Sequence, residues 1–162
     1  MKFIQTSLHG AYRVELEPIR DSRGFFARSW CKQEFLDHRI DIEIVQSNVS
    51  YNQKKGTLRG MHFQEEPFAE PKIIRCTHGK IYDVFIDIRP DSPTYLQWDS
   101  VELSAASYQM MYLPAGFAHG FLTLEEHSEV LYQMAQFFNP AAVRGIRWDD
   151  PLFRIDWPEE IT

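Results

Sequence analysis

Three residues with chemically useful side chains lie close together in the stretch 56–72, GTLRGMHFQEEPFAEPK. Arg59 can bind an anion, His62 can exchange a proton near neutral pH, and Lys72 can stabilise a negative charge. Side chains three apart on a strand point to opposite faces, so Arg59 and His62 share a cavity only if the strand bulges at Gly60. This combination suits removal of a proton next to a carbonyl group on a phosphorylated ligand.

Arg23 and His119 are two more candidate functional residues, and each precedes a glycine in the sequence. Arg23, in DSRGFF, either follows a turn into a core strand or binds a phosphate with its planar guanidinium. His119, in PAGFAHG, has the spacing of a metal ligand in cupin jelly rolls. The partner motif of those proteins, His-x-His, is replaced here by His62-Phe63-Gln64, so we expect no bound metal. His119 is then either a catalytic helper or a buried core histidine.

The stretch EVLYQMAQFF contains a candidate proton donor. Tyr132 shares a strand face with Val130 and Met134. It is either a packing residue or, if it faces the cavity of His62, a general acid.

Carboxylates on an apolar strand need partners, and YDVFIDIR carries two of them on one face. We expect Asp83 to orient a histidine and Asp87 to pair with an arginine such as Arg89. The glutamates of the loop before Lys72 are expected to be exposed to solvent; these are Glu65, Glu66 and Glu70.

Composition narrows the class of protein. The 162 residues fit one domain, 1–162. The net charge of −6 argues against nonspecific binding to nucleic acid or to an anionic membrane. No segment has the length of a membrane span or the pattern of a signal peptide. With two cysteines, Cys31 and Cys76, that lack metal or redox spacing, we expect reduced thiols and a cytoplasmic location.

Apolar residues alternate with polar ones along most of the chain, which predicts an all-β sandwich or barrel. A hairpin is expected at His78-Gly79, a short helix at 32–38, and a Trp-rich and Pro-rich tail packed over the outside of a sheet. The predicted strands are 3–6, 12–18, 24–29, 42–49, 57–64, 72–77, 80–89, 97–103, 108–113, 120–124 and 129–137.

The motifs together resemble the dTDP-4-dehydrorhamnose 3,5-epimerase family of cofactor-free 4-keto sugar-nucleotide epimerases. The similar stretches are DSRGFF, VQSN, GTLRGMHFQ, KIIRCTHGKIYDVFIDIR, LPAGFAHGFL, EVLY and RWDDP, in that order. The resemblance implies a cupin-like jelly-roll sandwich with one or two short helices. It also implies a homodimer with exchanged N-terminal strands, no cofactor, and a place in deoxysugar and cell-surface polysaccharide biosynthesis.

The resemblance also implies a role for each matching side chain. His62 is the base that removes the proton next to the C4 ketone, Tyr132 returns a proton on the opposite face, and Lys72 stabilises the enolate. The substrate, a nucleoside diphosphate 4-keto sugar, is bound by Arg23, Phe26, Arg28, Gln46, Asn48, Arg59, His119 and Phe138.

The chain departs from the family pattern at positions that affect the catalytic histidine and the recognition of the nucleotide. The family's aspartate partner of the catalytic histidine comes from a stretch beyond Trp157-Pro158 that these 162 residues do not include, so Asp83 is our candidate orienter of His62. Arg28 and Val143 stand where the family has glutamates, and the Phe137-Phe138 pair lacks the usual tyrosine. These changes leave dTDP, CDP and GDP sugars open.

Three functions therefore compete: an epimerase acting at C3, C5 or both, a non-catalytic sugar-nucleotide binder, and another cupin enzyme. The last is either a sugar ketoisomerase or a metal-dependent oxygenase.

Overall fold

The computed structural model describes residues 1–162, nearly all of whose regular structure is antiparallel strand. The prediction of an all-β chain with one or two short helices is confirmed, since the only helix is α1 (Lys32–Asp37). The strands are β1 (Lys2–Gln5), β2 (Tyr12–Glu15), β3 (Ile19–Asp21), β4 (Gly24–Phe26), β5 (Gln46–Asn52), β6 (Leu58–Gln64), β7 (Lys72–His78), β8 (Lys80–Asp87), β9 (Trp98–Ser104), β10 (Gln109–Leu113), β11 (Phe117–Thr123), β12 (Ser128–Met134) and β13 (Val143–Gly145).

Two sheets face each other, as in a jelly roll. One has the strand order β1-β2-β10-β7-β12-β5 and the other β13-β6-β11-β8-β9, while β3 and β4 form a separate hairpin. The largest hydrophobic cluster joins side chains from both sheets, among them Ile74, Phe85, Met111, Phe121 and Val130.

The prediction of a hairpin at His78-Gly79 is wrong, because β7 and β8 do not pair with each other. Strand β7 pairs with β10 and β12, whereas β8 pairs with β9 and β11, so the chain crosses from one sheet to the other at this turn. The inward side chains of β7 and β8, such as Ile74 and Phe85, meet across the core instead of lying side by side. Gly79 permits the crossing, because it has a φ of 72° and a Cβ there would lie 2.5 Å from Ser128 Oγ.

Both outer faces are partly covered. Helix α1 places Phe35 over β7 and β10, in a cluster that includes Ile42 and Ile73. Ile42 packs from a loop, and the strand predicted from residue 42 begins at Gln46. On the other sheet the tail contributes Phe153 to a cluster around Met61, which confirms the predicted packing of the tail. No helix is long or apolar enough to span a lipid bilayer.

Candidate active site

The predicted bulge at Gly60 is confirmed. His62 lies opposite His119 of β11, but Arg59 lies opposite Phe121, so three steps along β6 match two along β11. Gly60 has a φ of 122°, and a Cβ on it would lie 2.4 Å from the Cα of Gly120. The extra residue turns Arg59 and His62 toward the same cavity.

That cavity opens between the two sheets and has a volume of about 490 Å³. His62 and Arg59 come from the five-stranded sheet, while Lys72 and Tyr132 come from β7 and β12 of the six-stranded sheet. A ligand in the cavity therefore has candidate acids and bases on opposite sides. The lining consists of Leu58, Arg59, Gly60, His62, Glu70, Lys72, His119, Tyr132, Met134 and Phe138.

The surroundings of His62 favour its neutral form. Partial burial lowers its pKa below the usual value of an imidazole, and electrostatic interaction with the nearby Lys72, His119 and Arg59 side chains lowers it further. A neutral imidazole near pH 7 can accept a proton, which is what a general base must do.

The surroundings of Tyr132 keep its phenol protonated. Burial raises its pKa well above the usual range, and the nearby carboxylate of Asp83 adds to the rise. The ring packs edge-on against His119, with 5.9 Å between ring centroids, and its hydroxyl group makes no hydrogen bond within the chain. Tyr132 is thus available as a proton donor on the side of the cavity opposite His62.

Asp83 partners a different histidine from the one expected. Its Oδ1 lies 2.7 Å from Nε2 of His119, and the other carboxylate oxygen, also buried, has no partner. The structure shows no hydrogen bond between Asp83 and His62. Because β8 and β11 are neighbours and both side chains point into the core, the carboxylate reaches His119 first. His119 is therefore an oriented wall residue of the cavity.

The expected pairing of Asp87 with Arg89 is confirmed. The guanidinium of Arg89 donates two hydrogen bonds to the buried carboxylate, at 2.7 and 2.8 Å, its backbone N–H donates a third at 3.1 Å, and the side chain stacks on Phe117. Burial alone would raise the pKa of Asp87, but the hydrogen bonds from Arg89, Ser92 and Thr94 bring it down to about 2. This network supports β8 and does not line the cavity.

Strand β5 brings three of the expected binding residues together. Asn48 and Gln46 lie opposite Tyr132 and Met134 of β12. Gln46 accepts a hydrogen bond from the backbone N–H of Phe138, at 3.2 Å. The strand also ends at a residue that sequence reasoning missed: Asn52, which is buried and accepts a 2.6 Å hydrogen bond from Nε of Arg59. Asn52 fixes the guanidinium at the cavity edge.

Gln46 and Asn48 are not part of the cavity lining, and three other expected binding residues lie on or beside a separate hairpin. Arg23 and Phe26 belong to the β3–β4 hairpin, where the Arg23 side chain is 88% exposed and bonds Asp21. Phe26 is 74% exposed. Arg28 follows the hairpin and donates a 2.7 Å hydrogen bond to Glu34. Within one chain, none of them reaches the residues that line the cavity.

Glu70 corrects the expectation that the loop glutamates are all exposed. It is only 8% exposed, lines the cavity, and accepts a 2.6 Å hydrogen bond from Nζ of Lys72. Glu65 and Glu66 are exposed as expected. The spacing Glu-Pro-Lys contained a usable signal, since residues two apart on an extended chain share a face.

A cavity with this lining can bind an anionic ligand and move a proton from one side of a bound carbon to the other. The chain has no group of three or more His, Cys, Asp or Glu side chains arranged to hold a metal ion.

Sequence comparisons with known proteins all indicate the same enzyme family. The sequence model described as dTDP-4-dehydrorhamnose 3,5-epimerase matches residues 5–162. The enzyme of that name from Sinorhizobium fredii is 42% identical over 162 residues, which cover 100% of this chain and 83% of the relative.

Solved structures of epimerases are also similar to this chain, both in fold and in sequence. The Bacillus anthracis dTDP-4-dehydrorhamnose 3,5-epimerase, crystallised with TDP and PPi bound, has a TM-score of 0.94 and 40% identity over 99% of this chain and 91% of that one. The Legionella pneumophila dTDP-6-deoxy-D-glucose-3,5-epimerase, in complex with dTDP-4-keto-L-rhamnose, has a TM-score of 0.92 and 34% identity over 99% and 86% of the two chains.

Proposed function

Because this chain belongs to the dTDP-4-dehydrorhamnose 3,5-epimerase family, we propose that it inverts C3, C5 or both in a nucleotide-linked 4-keto-6-deoxy sugar. One observation carries the proposal: His62, Lys72 and Tyr132 line one cavity from its two opposite walls. A binding site alone needs cations for the diphosphate. It does not need a base and an acid that face each other.

In the first step the neutral imidazole of His62 takes the proton from the carbon next to the ketone. The electrons of the broken C–H bond move onto the ketone oxygen, which becomes an enolate. A carbon acid of this kind is weak, so the enolate needs a fixed positive charge in a site that excludes water. Lys72, a residue that is only 5% exposed, supplies that charge with its ammonium group.

In the second step Tyr132 donates its phenol proton to the same carbon from the opposite side. The C–H bond that forms has inverted configuration, and the electrons of the enolate return to the carbon. His62 is left protonated and Tyr132 ionised, so the resting enzyme returns when solvent carries a proton from the first to the second. One ketone activates both C3 and C5, which lets one base act at either carbon.

We propose that Arg59 binds the diphosphate and that Arg23 and Phe26 act in a homodimer, where the hairpin of one copy approaches the cavity of the other. The exposed guanidinium and the exposed ring, with Ile19 73% exposed beside them, support this arrangement. Exchange of N-terminal strands between two units, each spanning residues 1–162, belongs to the same proposal. Light scattering of the purified protein tests the dimer, and a Phe26→Ser variant should weaken it.

The nucleotide side of the site includes two positions that depart from the family pattern. Val143 and Phe138 line a second cavity of about 290 Å³, next to the first, together with His62 and Glu70. We propose dTDP as the nucleotide, since dTDP sugars are what the names of the relatives specify. CDP and GDP sugars are the comparison substrates.

The decisive experiment is NMR of dTDP-, CDP- and GDP-4-keto-6-deoxy sugars with the protein in D2O. The proposal expects deuterium at C3, C5 or both of the dTDP sugar, with inversion at the labelled carbon. His62→Asn should abolish the exchange, and His9→Asn, a change in an exposed turn, should not.

The other two readings predict different results. A non-catalytic binder holds the sugar nucleotide tightly but exchanges no proton in any of the three sugars. A ketoisomerase moves the carbonyl carbon signal along the ring, whereas an epimerase leaves it at C4.

A further inference from the structure

Glu70 is a buried carboxylate in the wall of the cavity, and the steps above do not use it. Its Oε1 holds the ammonium of Lys72 at 2.6 Å. Its Oε2 is also buried and has no hydrogen-bond partner. A buried carboxylate oxygen without a partner carries a desolvation cost, so a group of this kind needs a compensating charge nearby.

The residues around Glu70 indicate that its free oxygen can stabilise a positive charge on His62. Glu70 is the only acidic residue in the lining of the first cavity, and it also lines the second cavity together with His62. Several titratable or charged side chains lie near His62. They are Arg59 on β6, Lys72 on β7, Tyr132 on β12, and His119 on β11, which is bonded to Asp83 of β8. On β13, Arg144 lies opposite Phe63 and not opposite His62, and it pairs with Glu65.

The charges near His62 become important when His62 abstracts a proton. Once His62 has taken the proton from carbon, it is a cation beside Lys72 and Arg59. Both of these charges, together with His119, act against the protonated imidazole, and Glu70 is the group that acts in its favour. Asp83 contacts His119 at 2.7 Å through Oδ1 and lines neither of the two cavities that His62 lines.

We propose that Glu70 is a positioning residue of the reaction: one oxygen holds the ammonium of Lys72 on the enolate side, and the carboxylate stabilises the protonated form of His62. This inference rests on the proposed epimerase function. In the resting site Glu70 limits how far the neighbouring cations weaken the base. During the reaction it offsets the positive charge that His62 acquires.

The test is the titration of His62 in the ligand-free protein, followed by NMR of ¹⁵N-labelled imidazole and assigned with a His62→Asn variant. Glu70→Gln keeps the size of the side chain and removes its charge. It should move the titration midpoint of His62 to lower pH, because the protonated imidazole loses a nearby opposite charge. Glu66→Gln, an exposed glutamate of the same loop, should leave the midpoint unchanged.

Glu70→Asp is the second variant, because it keeps the charge and shortens the side chain by one methylene. Its midpoint should stay closer to that of the unmodified protein than the midpoint of Glu70→Gln. A midpoint in Glu70→Gln that is unchanged or raised would overturn the role of Glu70.

An activity measurement keeps this inference separable from the proposed function. The acid limb of deuterium exchange at C3 or C5, measured as kcat/KM against pH, should move down with the His62 midpoint in Glu70→Gln. No exchange by the unmodified protein on any of the three sugars would refute the proposed function. Exchange with an unshifted acid limb in Glu70→Gln would refute the role of Glu70 alone.

Discussion

Replacing Gly60 with alanine should damage both the stability and the activity of this protein. The added Cβ would lie 2.4 Å from the Cα of Gly120 and 2.8 Å from the carbonyl oxygen of His119. Carbon atoms in contact normally sit about 3.5–4.0 Å apart, so β6 and β11 must separate by about 1 Å to admit the methyl group. Backbone atoms form this contact, and they cannot rotate away as a side chain would.

Two costs add up. An alanine at a φ of 122° costs roughly 1–2 kcal/mol, because L-residues avoid this region. Overpacking against a rigid neighbour costs about 1–3 kcal/mol more. The free energy of unfolding should therefore fall by roughly 2–5 kcal/mol, a large part of the total for a domain of this size. With a urea m value of about 2 kcal/mol/M, the midpoint should fall by about 1–2.5 M.

Gly24→Ala is the matched control. Gly24 also has a positive φ, 136°, but a Cβ there has no neighbour within 4 Å, so this variant bears only the backbone strain. Urea unfolding followed by tryptophan fluorescence compares the two. Equal midpoints for Gly60→Ala and Gly24→Ala would refute the argument from close approach of β6 and β11.

The same variant tests the site. A shift of about 1 Å in β6 relative to β11 changes the placement of His62, and displacement on this scale can lower a rate by roughly 100-fold. Deuterium exchange at C3 and C5 should fall accordingly in Gly60→Ala at urea-free conditions where the protein remains folded.

Three further predictions concern single side chains. Tyr132→Phe should lower formation of the inverted product by roughly 10²–10⁴-fold while deuterium still enters at carbons of retained configuration, which NMR in D2O measures. Asp83→Asn should lower the free energy of unfolding by about 1–3 kcal/mol, because buried His119 loses its charged partner, and urea titration at pH 7 checks this. The pKa of Asp87 is about 2 in the folded protein, below its value in the unfolded chain, so its stabilising contribution is present above about pH 4 and is lost as pH falls toward 2. That contribution is roughly 2 kcal/mol, so acid should destabilise Asp87→Asn less than the unmodified protein in urea midpoints compared at pH 6 and pH 2.5.

Most strands could be predicted because a two-residue alternation is local to the chain. The pairing of the strands was harder to predict. Alternation tells which side chains of β7 and β8 point inward, but it does not tell whether the two strands share a sheet or face each other. The turn at His78-Gly79 fits either arrangement, and the packing of both sheets around Ile74 and Phe85 selects the second.

Only part of the site could be predicted, because the packing of separate elements also decides which residues reach the cavity. Arg59, His62, Lys72, His119 and Tyr132 all line the cavity, as the spacing and the motifs indicated. Arg23 does not reach it within one chain, because its hairpin stands apart from both sheets.

Glu70 was misjudged because charged residues are rarely buried, which makes exposure the sensible default from sequence alone. Its burial depends on Lys72 beside it and on the opposite wall of the cavity.

The sequence by itself determined most of the strands, the types of residue that can move a proton, and the glycine that bends β6; it did not indicate β3 or β13. These follow from local backbone geometry, which a few neighbouring residues set. Only the tertiary structure decided that Asp83 bonds His119 and that Glu70 turns inward to Lys72. Partners such as Asp83 and His119 are 36 residues apart, and which of them meet depends on how both sheets pack as a whole.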